Sequence, residues 1–598
     1  MFLRLFALVV VGFSSIGFAA PPATEPAPNP ALHALFEREF QRTQAEFPEY
    51  ATLLGVDTYN DKLRDASPEA VARRKTHGKS VLTELARFDA QKLSTQDRIS
   101  LAMMTGDLRR DEALNALYGE LPFGAGFGDG WLRIAPGRGP HTLFPLLAKA
   151  TPFRNAHDYE NYIERLAAIP RLLAQTTMIL EAGIKSGWMP PRVAMLRVPA
   201  QLATFSGNDV TATPLYAPFR QFPPAVAAED RKRLAESATK VLSERVHPAF
   251  AALKEFVEIR YLPACTEDLA ASKLPGGKPY YQQMIAAMTT TSLGAGEIHE
   301  TGKREVARIR AEMDKVIAST GFKGSFAEFL QSLRTNPRFF HVSAEEMLIH
   351  YRDIAKRADA ELPNLFAELP RVPYGIRPME AYEGDDAEHY TGGALDGSRA
   401  GYFEANTNNL ARRAKYEMEA VLLHETVPGH HLQIARAQEL KGLPAFRRAA
   451  GYVAYSEGWA LYAESLGNEM GMYRDPYSKF GQLSAEAWRA CRLVVDTGLH
   501  AFGWTRDQAI RYLADNSGIS ESSAIAEVDR YILNPGQALG YKIGELKIKA
   551  LRAKAQQALG SKFDLRRFHN AVIDDGALPL DLLEVRIDDW IARETAAQ

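Results

Sequence analysis

His424-Glu425-Thr426-Val427-Pro428-Gly429-His430-His431, entered from the helical run Tyr416 to Leu423, is the stretch on which the reading of this chain turns. In the HExxH pattern two histidines one helical turn apart point the same way and grip one zinc ion, and the glutamate between them acts on the bound water. Here position 428, where the second histidine should stand, is proline, and the next histidines are 430 and 431. In an unbroken helix His431 shares the face of His424 but lies about 10 Å further along the axis. That is too far for one zinc with bonds of about 2 Å. Pro428 removes a helical hydrogen bond, and Gly429 tolerates unusual backbone angles. A break at Pro428-Gly429 that draws a later histidine back toward His424 is therefore expected. His430, which follows the glycine, is preferred as second ligand and His431 is the alternative; the histidine left over is free to meet substrate. Glu425 is the expected general base.

A third ligand has to come from elsewhere. Ala454 to Glu464 reads as a buried helix carrying two acids, Glu457 and Glu464, seven apart and so on one face two turns apart. An acid inside an apolar helix is costly unless paired or metal-bound. Glu457 is the expected ligand and Glu464 its supporting carboxylate; salt bridges to Arg or Lys are the competing reading for both. Further on, Asp496 is a candidate to orient a ligand histidine. His500, Tyr531 and Tyr541 are candidates to stabilise an oxyanion or hold substrate. Helix capping and core packing compete for each of these.

Outward from the motif the chain reads as helix after helix. Asp158 to Leu180 and Arg231 to Tyr261 carry apolar residues at spacings of three and four, with Pro170 and Pro248 as expected kinks. Ser343-Ala344-Glu345-Glu346 reads as a capping box. The best strand signal is Gly401 to Thr407. The expectation is a mainly α protein: a large helical body over residues 32–598, in one or two lobes, with a small β element beside a site within 402–541.

Composition narrows the class. With 46 % apolar and 24 % charged residues and a net charge of −2, nothing suggests nucleic acid as a partner. Arg4, the apolar stretch Leu5 to Phe18 and the small residues Ala19 and Ala20 form a secretory signal peptide, expected over 1–19, before a Pro/Ala-rich linker over 20–31. The apolar run is too short to span a bilayer well. No cysteine stands near the expected cut, so no lipidation is expected there and the mature chain is expected in the periplasm or outside the cell. The two cysteines, Cys265 and Cys491, either pair or stay separate thiols, and cannot form a cysteine-type zinc knuckle.

The strings HETVPGHHLQ, SEGWALYAE, RLVVDTGLH and NPGQALGYKIG, with GYFEANTNN and the segment beginning LPGGKPYYQQ, resemble the bacterial domain-of-unknown-function 885 family from about residue 32 to the C-terminus. That family is grouped with gluzincin metallopeptidases similar to angiotensin-converting enzyme and thimet oligopeptidase. The resemblance implies a helical fold with a deep channel and a zinc site of two histidines and a downstream glutamate, which Glu457 matches. It also implies a strand beside the site that pairs with the peptide backbone, in the place of Tyr402 to Thr407, with Tyr402 and Asn406 against the substrate. The expected activity is zinc-dependent hydrolysis of short peptides. A zinc hydrolase acting on an ester or lactone and a catalytically weak binding protein are the rivals. Oligomeric state is left open.

Overall fold

The apolar stripes fold as the spacings demand. Asp158 to Leu180 lies within one helix, Ala156–Ser186, which runs through Pro170. Arg231 to Tyr261 is a helical rod with two wide π turns, Leu242–Val246 and Val257–Tyr261, just ahead of Pro248 and Pro263. A π turn absorbs the hydrogen bond that a proline cannot make. Ser343 caps Ala344–Leu365 through Glu346 N, but the Glu346 carboxylate reaches back to Val342 N rather than to Ser343, so the box closes one residue early.

The computed structural model describes residues 25–126, 128–380 and 387–596. The signal peptide expected at 1–19 and the first part of the linker lie outside them. Of the remaining linker, Pro30 already opens a helix, Pro30–Glu46, capped by the Asn29 carboxamide. No helix among the described residues is long and apolar enough to cross a membrane. Cys265 and Cys491 are separate thiols.

Six helices frame the site: α1 (Ala295–Ser319), α2 (Met418–Glu425), α3 (His430–Glu439), α4 (Val453–Leu466), α5 (Pro476–Ala501) and α6 (Gly540–Leu559). They share a continuous cluster of buried apolar side chains that runs from Leu63 to Trp590. Small residues let the backbones close in. A Cβ added at Gly302 on α1 would lie 2.7 Å from Val494 on α5, and one at Gly458 on α4 would lie 2.8 Å from Glu545 N on α6. The Lys542 ammonium ties the same layer, donating to Glu486 at 2.7 Å and Glu545 at 2.5 Å and pairing with Glu305 at 3.1 Å. A fully buried cation is tolerable only with such partners.

The β element is a three-stranded sheet ordered β1 (Tyr374–Pro378), β3 (Gly401–Ala405), β2 (His389–Thr391), with β1 parallel and β2 antiparallel to β3. The strand expected from the sequence is therefore the central one.

Candidate metal centre

The turn between α2 and α3 decides the geometry. Thr426 still bonds Leu422 O through both its N–H, at 2.8 Å, and its hydroxyl, at 2.7 Å. The chain then leaves helical angles at Thr426 (φ −115°, ψ −106°) and re-enters a helix after Gly429 (φ −76°, ψ −129°). The Val427–Pro428 peptide bond is cis. A Cβ at Gly429 would sit 2.6 Å from the His424 carbonyl carbon and closer still to two carbonyl oxygens, so only glycine fits. The buried Trp459 indole on α4 donates to Pro428 O at 2.8 Å and holds the turn against α4.

His430 thereby returns to His424: their ring centroids are 4.8 Å apart with planes at 88°. Glu457 Oε2 lies 3.5 Å from His424 Nε2 and 3.4 Å from His430 Nε2. Tetrahedral bonds of about 2.0–2.1 Å place neighbouring ligand atoms about 3.3–3.4 Å apart, so these separations suit one small divalent cation. Among the described residues these three are the one group of His, Cys, Asp and Glu whose ligand atoms gather in this way, all within 4.8 Å of one another. Two imidazoles and a carboxylate suit zinc and, less selectively, other divalent ions.

Electrostatics agree with the donor set. Burial alone would raise the Glu457 carboxyl, but hydrogen bonds from His424 and His430 hold it well below its usual range. Burial opposes a proton on His424, yet Glu457 and Glu464 lift it to about 9. The same two carboxylates that draw a proton to His424 give the cluster a negative field that suits a cation, for which the proton on Nε2 has to leave. Glu464 Oε1 meets His424 Nδ1 at 2.8 Å, fixing the ring so that Nε2 faces Glu457. Arg489 lies 3.5 Å from the same oxygen. The His424 side chain is 5 % exposed, whereas His430, Glu425 and Glu457 keep 14, 12 and 21 %, so the cluster is sealed behind His424 and partly open beside the other three.

Glu425 ends α2. Its Oε2 accepts the Tyr390 backbone N–H at 2.8 Å, while Oε1 points back to within 4.0 Å of His424 Nε2. One oxygen is anchored and the other is turned toward His424. The Tyr541 ring lies nearly parallel to that of His424, centroids 6.5 Å apart. Burial and then Glu457 raise its phenol, which keeps its proton and remains a hydrogen-bond donor.

Several expected roles change. His431 is not in the ligand group: its Nδ1 meets the Tyr390 hydroxyl at 2.9 Å, Tyr374 covers its ring at 4.7 Å, and burial pushes it to about 4. Asp496 does not orient a ligand histidine. It accepts from the Tyr281 hydroxyl at 2.6 Å and from Gly536 N at 3.1 Å, pinning the turn that leads into α6. His500 uses both ring nitrogens on backbone, accepting from Ala271 N and donating to Tyr531 O, each at 3.0 Å, so no atom is left for an oxyanion. The Tyr531 hydroxyl is likewise spent: it accepts from Trp488 and Arg492 and donates to Glu527 at 2.7 Å. Tyr402 and Asn406 do not offer a free strand edge, because β3 is paired on both sides; the Arg377 guanidinium covers Tyr402 at 4.2 Å, and Asn406 is fully buried. The edge strand next to Glu425 is β2.

Residues the sequence reading missed are Tyr390, Arg489 and Arg492. The two arginines stand in a predominantly apolar helix, a signal of the same kind that singled out Glu457 and Glu464.

No curated protein matches the chain. Among solved structures, a protein from Colwellia psychrerythraea provisionally called a lipoprotein superposes with a TM-score of 0.88 at 30 % identity, covering 94 % of this chain and 99 % of that one. A protein of unknown function from Shewanella oneidensis, also provisionally called a lipoprotein, gives 0.63 at 17 % identity over 92 % and 99 %, a likeness of fold. A protein from Bacillus anthracis provisionally called oligoendopeptidase F aligns at 12 % identity over 88 % and 96 % with a TM-score of 0.28, too low to carry an argument. The profile of the family described as bacterial protein of unknown function (DUF885) matches residues 48–587, and the chain belongs to that family.

Proposed function

We propose that this chain is a zinc-dependent peptidase acting on short peptides, exported behind the leader expected at 1–19. The observation that carries the reading is the meeting of His424, His430 and Glu457 beside a glutamate with one anchored and one inward-facing oxygen. His424, His430 and Glu457 would hold the zinc ion, which would supply a Lewis acid for the scissile carbonyl and for a water. Glu425 Oε1 takes the proton of the attacking water and returns it to the leaving amine, while Oε2 stays on the Tyr390 N–H. Glu464 keeps His424 Nδ1 protonated and its Nε2 directed inward. The Tyr541 hydroxyl donates to the oxygen of the tetrahedral intermediate.

The test is digestion of a mixed short-peptide library by zinc-loaded wild type and Glu425→Gln. Cleavage by wild type, reduced by about 10²–10⁴-fold in the variant while zinc is retained, is expected. Zinc-loaded wild type that leaves every peptide intact yet opens esters or lactones would overturn the peptidase reading in favour of another hydrolase.

A further inference from the structure

We propose that Arg492 and Arg530 dock the free C-terminal carboxylate of the substrate, so that the enzyme trims short peptides from the C-terminal end; this rests on the peptidase reading above.

Two helices bring the charges together. Arg492 comes from α5, and Glu527 and Arg530 from the helix Glu521–Leu533. Glu527 Oε2 accepts from the Tyr531 hydroxyl at 2.7 Å, from Arg530 at 2.8 Å and from Arg492 at 3.1 Å. Two guanidinium groups thus share one carboxylate, leaving one positive charge in excess. Among the described residues, Arg492 Nη1 and Arg530 Nε have no hydrogen-bond partner although both atoms are buried. The Arg492 side chain is 3 % exposed and is flanked by Trp488, 4.4 Å from its guanidinium carbon, and by Tyr541, 4.2 Å away. Aromatic faces soften the loss of water around a cation but supply no acceptor for its N–H groups. Arg530 keeps 37 % exposure and forms the accessible side of the pair.

The missing partner is an anion with two acceptor oxygens in a plane, and a carboxylate fits a guanidinium fork in that way. Its position selects which carboxylate. Tyr541 touches both regions: its ring is 6.5 Å from that of His424 and 4.2 Å from the Arg492 guanidinium, which therefore lies no more than about 11 Å from the His424 ring. At about 3.3–3.6 Å per extended residue, that span holds one or two residues beyond the scissile bond. A peptide whose carbonyl sits at the metal ligands and whose chain ends one or two residues later places its terminal carboxylate at the arginines. A chain that continues has no group there to meet the surplus charge.

Binding and turnover are measured separately. Zinc-loaded Glu425→Gln is titrated by calorimetry with tetra-alanine, its C-terminal amide and its N-acetyl form. The free acid is expected to bind about 10- to 100-fold more tightly than the amide, with the acetylated form within about threefold of the free acid, since the proposal places nothing at the amino end. Adding Arg530→Gln, at a partly exposed position, is expected to erase the preference, and Arg530→Lys to keep part of it. Zinc-loaded wild type is expected to release one or two residues from the carboxyl end and to spare the amide. Equal binding of acid and amide, or a preference that survives Arg530→Gln, overturns the proposal. A preference of the expected size with no hydrolysis of either peptide would leave the carboxylate site standing and sink the peptidase reading instead.

Discussion

Substituting Gly544→Ala is a severe probe of how the site is assembled. Gly544 lies one turn beyond Tyr541 on α6 and faces α4, the helix that carries Glu457. An added Cβ would stand 2.8 Å from both the Ala454 carbonyl carbon and Gly458 Cα, and closer still to Ala454 O. Carbon atoms pack best at about 3.5–4.0 Å, so the helices have to separate by about 0.7 Å or more. The obstacle is backbone on both sides, with no side chain free to turn away. Overpacking of this kind costs about 1–3 kcal/mol, and the upper end is expected here. A displacement of about 1 Å in a positioned group costs up to about 10²-fold in rate. The assay pairs the urea midpoint with kcat/KM on a peptide that wild type cleaves, using Gly296→Ala as the control. Gly296 lies on α1 with open space around its Cβ direction, and its substitution should be neutral or slightly stabilising. Native stability in Gly544→Ala would refute the close packing of α4 and α6. Reduced stability with unchanged kcat/KM would show that the approach of α4 and α6 does not set the position of Glu457 against Tyr541.

Two further outcomes follow from the hydrogen bonds. Glu464→Gln removes the charge behind His424 Nδ1 and should weaken zinc binding by about 10–100-fold in competition with a chelator. Asp496 is fully buried and held up to about 7 from 3.8. Its folded state keeps a proton that the unfolded chain has released, so this contribution to stability is complete below about pH 4 and is lost as pH rises toward 7. His500, pushed down to about 4, acts in the opposite direction, losing stability as pH falls below 6.5. Asp496→Asn removes only the first effect. The variant's unfolding free energy relative to wild type should therefore climb by up to about 4 kcal/mol between pH 4 and 7, then level off; a pH-independent difference would show that burial does not hold that proton.

The helical character of the chain and the neighbourhood of the centre were legible because both follow from spacing. Three-and-four periodicity marks the long helices, and an acid at Glu457 inside an apolar run is conspicuous wherever the helix goes. The choice between His430 and His431 was not legible, because it depends on backbone angles at Thr426 and Gly429 that no pattern dictates. β1 and β2 escaped because they are short and contain Gly375, Pro378 and His389, and short strands gain their identity from their neighbours. Asp496 and His500 were picked out by chemistry alone. Their buried surroundings satisfy both with local partners, and only the fold reveals which helix face they occupy. Arg492 stood at the head of a segment already singled out, but its surplus charge becomes visible only when Glu527 and Arg530 arrive from another helix.

The most direct test of the central claim is zinc content per chain, measured by elemental analysis on purified wild type, His430→Ala and His431→Ala. About one zinc per chain in wild type and in His431→Ala, with loss from His430→Ala, is the predicted result. Zinc retained by His430→Ala but lost from His431→Ala, or absent from wild type, would contradict a centre built from His424, His430 and Glu457.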